Sequence, residues 1–235
     1  MRLGPEETVV RSQLGRQVRT ACWPRNGSSA PRAALTFDDG PDPLWTPKVL
    51  SALDRADVRA TFFVIAPLAL EHHHIVSAML EAGHKIEFHC TQHGRHTHRS
   101  RQEVEADTRE GLDMLRKLGV EPQLWRPPWG VLALWTKEVA SSFGLELAPW
   151  SADTHDWRGE AAPEMMCRVE PLLGPGSVVL MHDGLGPGAR RSGCEETVAL
   201  VGDLTDHLRW MGCEPVPLTP CPGTSAIAER HEVRA

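Results

Sequence analysis

Short apolar runs alternate with longer amphipathic segments along most of the chain. The apolar runs are rich in β-branched and aromatic side chains, which is typical of strands buried on both faces of a parallel sheet. Strands are predicted at residues 33–37, 60–65, 84–88, 124–125, 145–150 and 177–181. Helices are predicted between and after them, at residues 46–55, 72–82, 101–118, 135–143, 163–173 and 195–211. This alternation indicates βαβ units, and therefore an α/β fold with a mainly parallel sheet.

Several helix boundaries carry residues that favour helix ends. Pro47 stands at a helix start, where its missing backbone N–H costs nothing. Ser100 and Glu103 form a capping box, in which each side chain satisfies a backbone N–H of the other. Gly83 and Gly119 follow helix ends, where a left-handed residue is common. Right-handed crossovers of this kind build either an open doubly wound sheet or a barrel, and periodicity does not choose between them.

The two ends of the chain lack this alternation. Residues 1–32 form a polar arm, residues 33–219 carry the alternating elements, and residues 220–235 form a polar tail. The first residues contain no apolar signal-peptide core, so a cytoplasmic location is expected for the chain as written, with export if the N-terminus is incomplete. No apolar stretch reaches the length of about 18 residues that would suggest a membrane span.

Composition and charge narrow the class of partner. The 235 residues are 41% hydrophobic and 24% charged, as in a globular protein that can bury one sizeable core. The formal net charge of −6 gives no basic excess, which argues against nucleic acid. The six cysteines contain no CxxC pair, and Cys213 with Cys221 is the first expected disulfide if the protein is exported. The oligomeric state is left open.

Polar side chains recur just after the C-terminal ends of the predicted strands. They are Asp38 and Asp39, His89 and His93, Arg126, Asp153 and Asp156, and His182 and Asp183. In α/β sheets and barrels, this edge is where active sites assemble. The total of twelve histidines is a weaker guide, because the consecutive histidines at 72–74 are expected to be solvated surface.

Two of these pairs suggest a metal ion. Asp38 and Asp39 precede Gly40, so both carboxylates can reach one cavity from a turn, although a solvated turn has the same composition. His89 and His93 are spaced so that both imidazoles can face one cation, although a His-rich surface loop has the same spacing. Two histidines and one aspartate are a known zinc-binding set that leaves positions open for water.

The combination favours metal-assisted hydrolysis of an amide or ester. Zinc lowers the pKa of bound water to about 7, and a second carboxylate beside it can act as general base. His182 can act as general acid if a carboxylate orients it. Arg126 is not a proton donor and is better suited to hold a carboxylate in its ionised state.

Five short motifs occur in order along the chain. They are TFDDGPD at 36–42, HCTQH at 89–93, RPPWG at 126–130, DTHDW at 153–157 and LMH at 180–182. Together they resemble the motifs of the polysaccharide deacetylases (carbohydrate esterase family 4, the NodB-homology domain), over about residues 33–219. The resemblance implies an irregular (β/α) barrel of about seven parallel strands, with the site at the C-terminal strand ends. It also implies metal-dependent removal of acetyl groups from sugars.

Carried over residue by residue, the resemblance implies a role for each motif. Asp39, His89 and His93 would hold the divalent metal, with Zn²⁺ as the first expectation and Co²⁺ or Ni²⁺ as alternatives. The other catalytic roles would be those of Asp38 as general base, Arg126 positioning Asp38, His182 as general acid and Asp156 orienting His182. The substrate-binding residues would be Trp129, Trp157 and Leu180. Among them, the Trp129 backbone N–H would stabilise the oxyanion, and the other two would wall the acyl pocket.

The expected substrate is an acetylated carbohydrate, first of all an N-acetylated amino sugar. Trp45, Trp129 and Trp157 could stack on sugar faces or simply pack in the core. Cys90 stands where the family usually has Ser or Thr, so the metal loop is expected to be looser or sensitive to oxidation. The alternatives are a related hydrolase of a non-sugar amide and a carbohydrate-binding barrel that has lost catalysis. The second would show a replaced base, acid or metal ligand, and none is replaced.

Overall fold

A computed structural model of the protein describes residues 30–220, in which strands and helices alternate as the pattern predicts. The strands are β1 (Arg32–Asp38), β2 (Thr61–Ile65), β3 (Lys85–Cys90), β4 (Leu124–Trp125), β5 (Glu146–Leu147), β6 (Ala152–Asp153), β7 (Val178–His182) and β8 (Glu214–Pro215). The helices are α1 (Thr46–Arg55), α2 (Ala66–Glu71), α3 (His73–Glu81), α4 (Arg101–Arg116), α5 (Thr136–Ser142), α6 (Ala162–Val169) and α7 (Glu195–Trp210). Most of the N-terminal arm, the C-terminal tail and Cys221 lie outside the described residues.

The sheet decides between the two architectures that periodicity left open. Its strands are parallel and follow the order β5-β4-β3-β2-β1-β7-β6, with β8 pairing the start of β1. Seven strands curl into a half-barrel, which confirms the expected irregular (β/α) barrel. β5 and β6 form the two ends of the strand order, so the barrel is open between them. Because the strands are parallel, their C-terminal ends meet at one rim, where Asp38 and His182 are register partners.

A continuous hydrophobic core fixes the strands beneath this rim. The rings of Phe37 and Phe62, on neighbouring strands, stack with centroids 5.1 Å apart. Leu53 of α1 and Leu204 of α7 are fully buried in the same cluster. Burying each such side chain stabilises the fold by about 1.5–3 kcal/mol. The rim is therefore built on strands that packing holds in place.

The helix ends follow the local sequence closely. The backbone N–H of Ser100 donates to Glu103 Oε2 at 2.7 Å, and the N–H of Glu103 donates to Ser100 Oγ at 3.3 Å, so the capping box is confirmed. Gly83 and Gly119 have φ angles of 81° and 73° and end their helices as predicted. None of the helices within residues 30–220 has the length and apolar character needed to cross a membrane.

Two strands of the sheet could not be predicted from the hydrophobic pattern. β6 and β8 have two residues each, and they are defined only by pairing with β7 and β1. Such short pairings carry no periodicity that a sequence pattern could show. The strand predicted at 145–150 is correspondingly too long, because only Glu146–Leu147 pairs with β4.

The helix predicted at 72–82 is confirmed as α3, but the sequence pattern missed the shorter helix α2 that precedes it. The structure has two helices, α2 and α3, separated at His72, whose φ of −104° and ψ of 41° are not helical. Pro67 lies in the first turn of α2, a position that suits proline and marks an earlier helix start. β3 also runs two residues further than predicted, so His89 lies within the strand rather than after it.

Candidate active site

Asp38 ends β1, and Asp39 follows in a tight turn. Asp39 has a φ of 74°, which is uncommon for any residue other than glycine. The loop after β7 packs directly against it, because a Cβ on Gly184 would overlap the Asp39 carbonyl and one on Gly186 would overlap Asp39 Oδ2. The β7 loop thus lies directly against both the backbone and the carboxylate of Asp39.

Asp39, His89 and His93 converge from two strand ends. Asp39 Oδ1 lies 3.2 Å from Nε2 of each histidine, and all three side chains are about nine-tenths buried or more. Neither Asp39 Oδ1 nor His89 Nε2 has a hydrogen-bond partner in the described part of the chain. Burial alone raises the pKa of Asp39, but the two imidazoles outweigh it and hold that pKa well below its ordinary value. One ligand atom from each residue, all within 4.8 Å of one another, fits a divalent cation.

Arg126 and Asp38 form a buried ion pair beside this cluster. Arg126 Nη1 donates to Asp38 Oδ1 and to Thr36 Oγ1, both at 2.8 Å, and Nε donates to the Ala148 carbonyl at 2.9 Å. The guanidinium also lies 4.0 Å from the Phe63 ring centroid. Burial lowers the pKa of Arg126, and the Asp38 carboxylate opposes that shift. These contacts fix the guanidinium, and with it one oxygen of Asp38.

A second charge pair joins His182 to Asp156. His182 Nδ1 lies 2.7 Å from Asp156 Oδ1, and the His182 backbone N–H donates to Oδ2 at 2.9 Å. Burial by itself lowers the pKa of His182, but Asp156 outweighs it and raises that pKa to about 9. Burial raises the pKa of Asp156, yet His182 and Arg191 bring it down to about 2. The imidazole is therefore protonated at neutral pH and held at one nitrogen.

Comparison with known proteins identifies the family to which the chain belongs. The family model for polysaccharide deacetylases matches residues 25–148. The chain belongs to the polysaccharide deacetylase family. A chitooligosaccharide deacetylase of Sinorhizobium fredii is 34% identical over 198 residues, covering 80% of this chain and 91% of that enzyme. The peptidoglycan-N-acetylglucosamine deacetylase PgdA of Listeria monocytogenes is 38% identical over 153 residues, covering 65% of this chain and 32% of that enzyme.

Solved structures of polysaccharide deacetylases have the same barrel. The Bc1960 peptidoglycan N-acetylglucosamine deacetylase superposes with a TM-score of 0.75 and 30% identity, over 81% of this chain and 87% of that chain. A family 4 carbohydrate esterase from Streptomyces lividans gives a TM-score of 0.71 and 27% identity, over 79% of this chain and 91% of that chain. The resemblance of the five motifs is thus confirmed, and the protein is a hydrolase that deacetylates carbohydrates.

The loop after β3, which carries His93, is braced by a residue that sequence reasoning missed. Both carboxylate oxygens of Asp107 accept backbone N–H groups, from Thr91 at 3.0 Å and from Gln92 at 2.9 Å. The hydroxyl of Thr91 donates to the Asp107 carbonyl at 2.6 Å. Cys90 is buried, and burial raises the pKa of its thiol well above the ordinary value, which disfavours the reactive thiolate. Neither feature favours the loose, oxidation-sensitive loop expected from Cys90.

Arg191 and Thr197 support the Asp156–His182 pair and were also missed. Arg191 Nη1 donates to Asp156 Oδ2 at 3.0 Å, and Nη2 donates to the His182 carbonyl at 3.0 Å. Thr197 Oγ1 donates to Asp156 Oδ2 at 2.7 Å. Arg191 lies in the loop before α7, and nothing in its local sequence separates it from the neighbouring Arg190.

Among the residues expected to contact substrate, Trp129 touches the cluster directly. The Trp129 ring meets His93 edge-on at 4.2 Å, and its backbone has a φ of 56°. Trp157 is half-buried, and Leu180 is buried with its carbonyl accepting the Thr154 hydroxyl. Trp45 is only 6% exposed, so it packs in the core and offers little surface to a sugar.

Two strand-end residues serve the scaffold rather than the cluster. Asp183 is buried, accepts the Thr46 hydroxyl at 2.6 Å and packs against Gly40. Burial, with the nearby charges of Asp39 and Asp38, raises the pKa of Asp183 to about 7. Asp153 turns instead toward the segment that follows β6, where its Oδ1 accepts the His155 backbone N–H at 2.8 Å.

Proposed function

We propose that this deacetylase, through its barrel at residues 33–219, removes N-acetyl groups from amino-sugar oligo- or polysaccharides. The observation that carries the proposal is the meeting of the Asp39–His89–His93 cluster with two buried charge pairs at one rim. Asp38 is paired with a guanidinium, and Asp156 is paired with an imidazolium. These different partners allow one pair to provide the general base and the other to provide the general acid. Relatives named for chitooligosaccharides and for peptidoglycan N-acetylglucosamine support an N-acetylated sugar as substrate.

Asp39, His89 and His93 would hold the divalent ion. Zn²⁺ is the first choice because a carboxylate and two imidazoles suit it, with Co²⁺ or Ni²⁺ as alternatives. The unpaired Asp39 Oδ1 and His89 Nε2 support this fit. When bound, the ion supplies Lewis acidity that polarises the amide carbonyl and lowers the pKa of water.

Asp38 would act as the general base that accepts a proton from the attacking water. Its Oδ1 is held by Arg126, while its Oδ2 lies 4.0 Å from His89 Nδ1, on the side of the metal cluster. Arg126 stays charged at any pH of interest and so fixes the carboxylate without competing for the proton.

His182 would act as the general acid at the leaving group. Asp156 accepts a hydrogen bond from Nδ1, so Nε2 remains to donate its proton to the departing nitrogen. As the water oxygen bonds to the acetyl carbon, the C–N bond breaks, acetate is released and the sugar amine takes the proton from His182. Its raised pKa keeps that proton available at neutral pH.

Three residues would shape the acyl end of the site. The backbone N–H of Trp129 would donate to the developing oxyanion, since such donors stabilise charge that appears only in the transition state. Trp157 and Leu180 would wall the pocket for the acetyl methyl group, a role that suits their apolar surfaces.

Acetate release tests the proposed function directly. Metal-loaded protein is incubated with acetylated chitooligosaccharides, peptidoglycan fragments and acetyl-xylan, and free acetate is measured over time. We expect release from the N-acetylated sugars, because the protonated His182 can supply the proton that the leaving amine requires. The Asp38→Asn protein serves as the control for contaminating activity. Release from none of these sugars by folded, metal-loaded protein would overturn the proposal.

The rate should fall as pH rises through about 9. Above this pH His182 loses the proton that the leaving amine requires. Asp156→Asn removes the charge that raises the pKa of His182, so this alkaline limb should move to lower pH by a unit or more. The Asp203→Asn protein, which changes an exposed aspartate of α7, should keep the wild-type profile. An unmoved alkaline limb in Asp156→Asn would exclude His182 as the titrating acid.

A further inference from the structure

A buried arginine joins three segments of the chain behind the Asp156–His182 pair. Arg191 lies in the loop between β7 and α7, and its side chain is only 6% exposed. Its Nη1 donates to Asp156 Oδ2 and to the hydroxyl of Thr197, in the first turn of α7. Its Nη2 donates to the backbone carbonyls of His182, at the end of β7, and of Gly184. The segment after β6, the end of β7 and the start of α7 therefore meet at one guanidinium.

The sheet itself gives Asp156 little support. β6 has only two residues, pairs with β7 on one side and forms one end of the strand order. Thr154 is still tied to the Leu180 carbonyl by its backbone N–H and its hydroxyl. The next residue, His155, has a φ of 55°, which turns the chain away from the strand direction. Side-chain hydrogen bonds, rather than strand pairing, therefore have to hold the Asp156 carboxylate.

The two oxygens of Asp156 are used differently. Oδ1 lies 2.7 Å from His182 Nδ1. Oδ2 accepts three hydrogen bonds, from the His182 backbone N–H at 2.9 Å, from the Thr197 hydroxyl at 2.7 Å and from Arg191 Nη1 at 3.0 Å. Hydrogen bonds between charged groups are about twice as strong as neutral ones. Because Oδ2 is held in this way, Oδ1 stays directed at Nδ1, and Nε2 is left as the nitrogen that faces away from the carboxylate.

We infer that Arg191 is a positioning residue for the general acid, which holds Asp156 so that His182 presents its Nε2 proton to the leaving group. The inference rests on the proposed function, since it takes His182 as the acid. Both terminal nitrogens of Arg191 donate to protein groups, so the residue acts through Asp156 and not on the substrate. A lysine has one nitrogen in place of the planar fork, and it cannot reproduce both sets of contacts.

The leaving group separates this role from a purely structural one. An N-acetylated sugar releases an amine that has to be protonated, whereas 4-nitrophenyl acetate releases a stable phenolate that needs no proton. General acid catalysis contributes about 10²–10⁴-fold, so Arg191→Gln should lower the amide-to-ester ratio of kcat/KM by about tenfold or more. With N-acetylated chitotetraose the loss should appear in kcat with KM unchanged, because no substrate contact is removed. Arg191→Lys should give an intermediate ratio.

Arg209 offers a matched control on α7. Its side chain is exposed, and its Nη1 and Nη2 donate to the carbonyls of Ala56 and Asp57 at 2.8 and 3.0 Å. Arg209→Gln therefore removes two arginine-to-carbonyl hydrogen bonds without touching the acid, and it should keep the wild-type ratio. An unchanged ratio in folded Arg191→Gln protein would overturn the inference. If that variant does not fold, an unchanged ratio in Arg191→Lys overturns it instead.

Proton NMR tests the position of the imidazole without turnover. In Zn²⁺-loaded wild-type protein, the proton between His182 Nδ1 and Asp156 should give a strongly deshielded signal, which is identified by its loss in Asp156→Asn. We expect Arg191→Gln to lose this signal and Arg209→Gln to retain it. Loss in Arg191→Gln alone supports the inference even if no N-acetylated sugar is hydrolysed. An unaltered signal in Arg191→Gln counts against it even if acetate release by the wild type is normal.

Discussion

Asp39→Ala protein is expected to bind no stoichiometric divalent metal and to lose deacetylase activity by about 10³-fold or more. Asp39 supplies the anionic oxygen of the cluster, and its Oδ1 is the atom that approaches both imidazoles at 3.2 Å. Without it, only the two imidazoles remain as ligands. Lewis-acid stabilisation is worth several kcal/mol in the transition state, and each 1.36 kcal/mol is tenfold in rate. Metal content by mass spectrometry and acetate release measure the two effects separately.

Two histidines that follow β3, His93 and His98, allow a matched comparison. His93→Ala should reproduce the losses of Asp39→Ala, because His93 Nε2 faces the same carboxylate oxygen. His98→Ala removes an exposed histidine from the same segment and should retain both metal and activity. Full metal occupancy with wild-type turnover in Asp39→Ala would contradict the assignment of the metal ligands.

Asp38→Asn is expected to reduce kcat by about 10²–10⁴-fold, the usual contribution of general base catalysis, while metal content stays at the wild-type level. The amide cannot accept the proton of the attacking water. Asp38 is held by Arg126 rather than by the metal cluster, which is why the ion should remain. The change also leaves the buried Arg126 without its counter-charge, and breaking a buried pair costs about 3–5 kcal/mol. A lower Tm is therefore expected, and the rates are compared well below it.

Asp183→Asn makes the same chemical change at a second buried carboxyl group of the rim. Asp183 has a pKa raised to about 7 and bonds to Thr46 rather than to the metal cluster. Since its protonated form resembles an amide, Asp183→Asn should keep most of the activity. Normal turnover by Asp38→Asn, or an equally large loss in Asp183→Asn, would remove Asp38 from the role of base.

The helix ends and the longer strands could be predicted because their causes are local. The capping box of Ser100 and Glu103 spans three residues, and the glycines at 83 and 119 act on the turn just before them. The longer strands can be recognised as continuous apolar runs, because both of their faces are buried. The strands β6 and β8 and the break at His72 have no such local cause. They depend on pairing with distant strands and on how the chain packs around the barrel.

The residues of the candidate site also fall into two groups, those that the sequence predicts and those that only the tertiary structure shows. The sequence by itself determined the family, the parallel sheet and the residue types at the strand ends, since motif order and alternating periods are properties of the chain alone. Only the tertiary structure decided which groups support them. Arg191 reaches Asp156 across 35 positions, and Gly186 touches Asp39 from another strand's loop. Contacts of this kind depend on how distant segments close on one another, which no local pattern of side chains encodes.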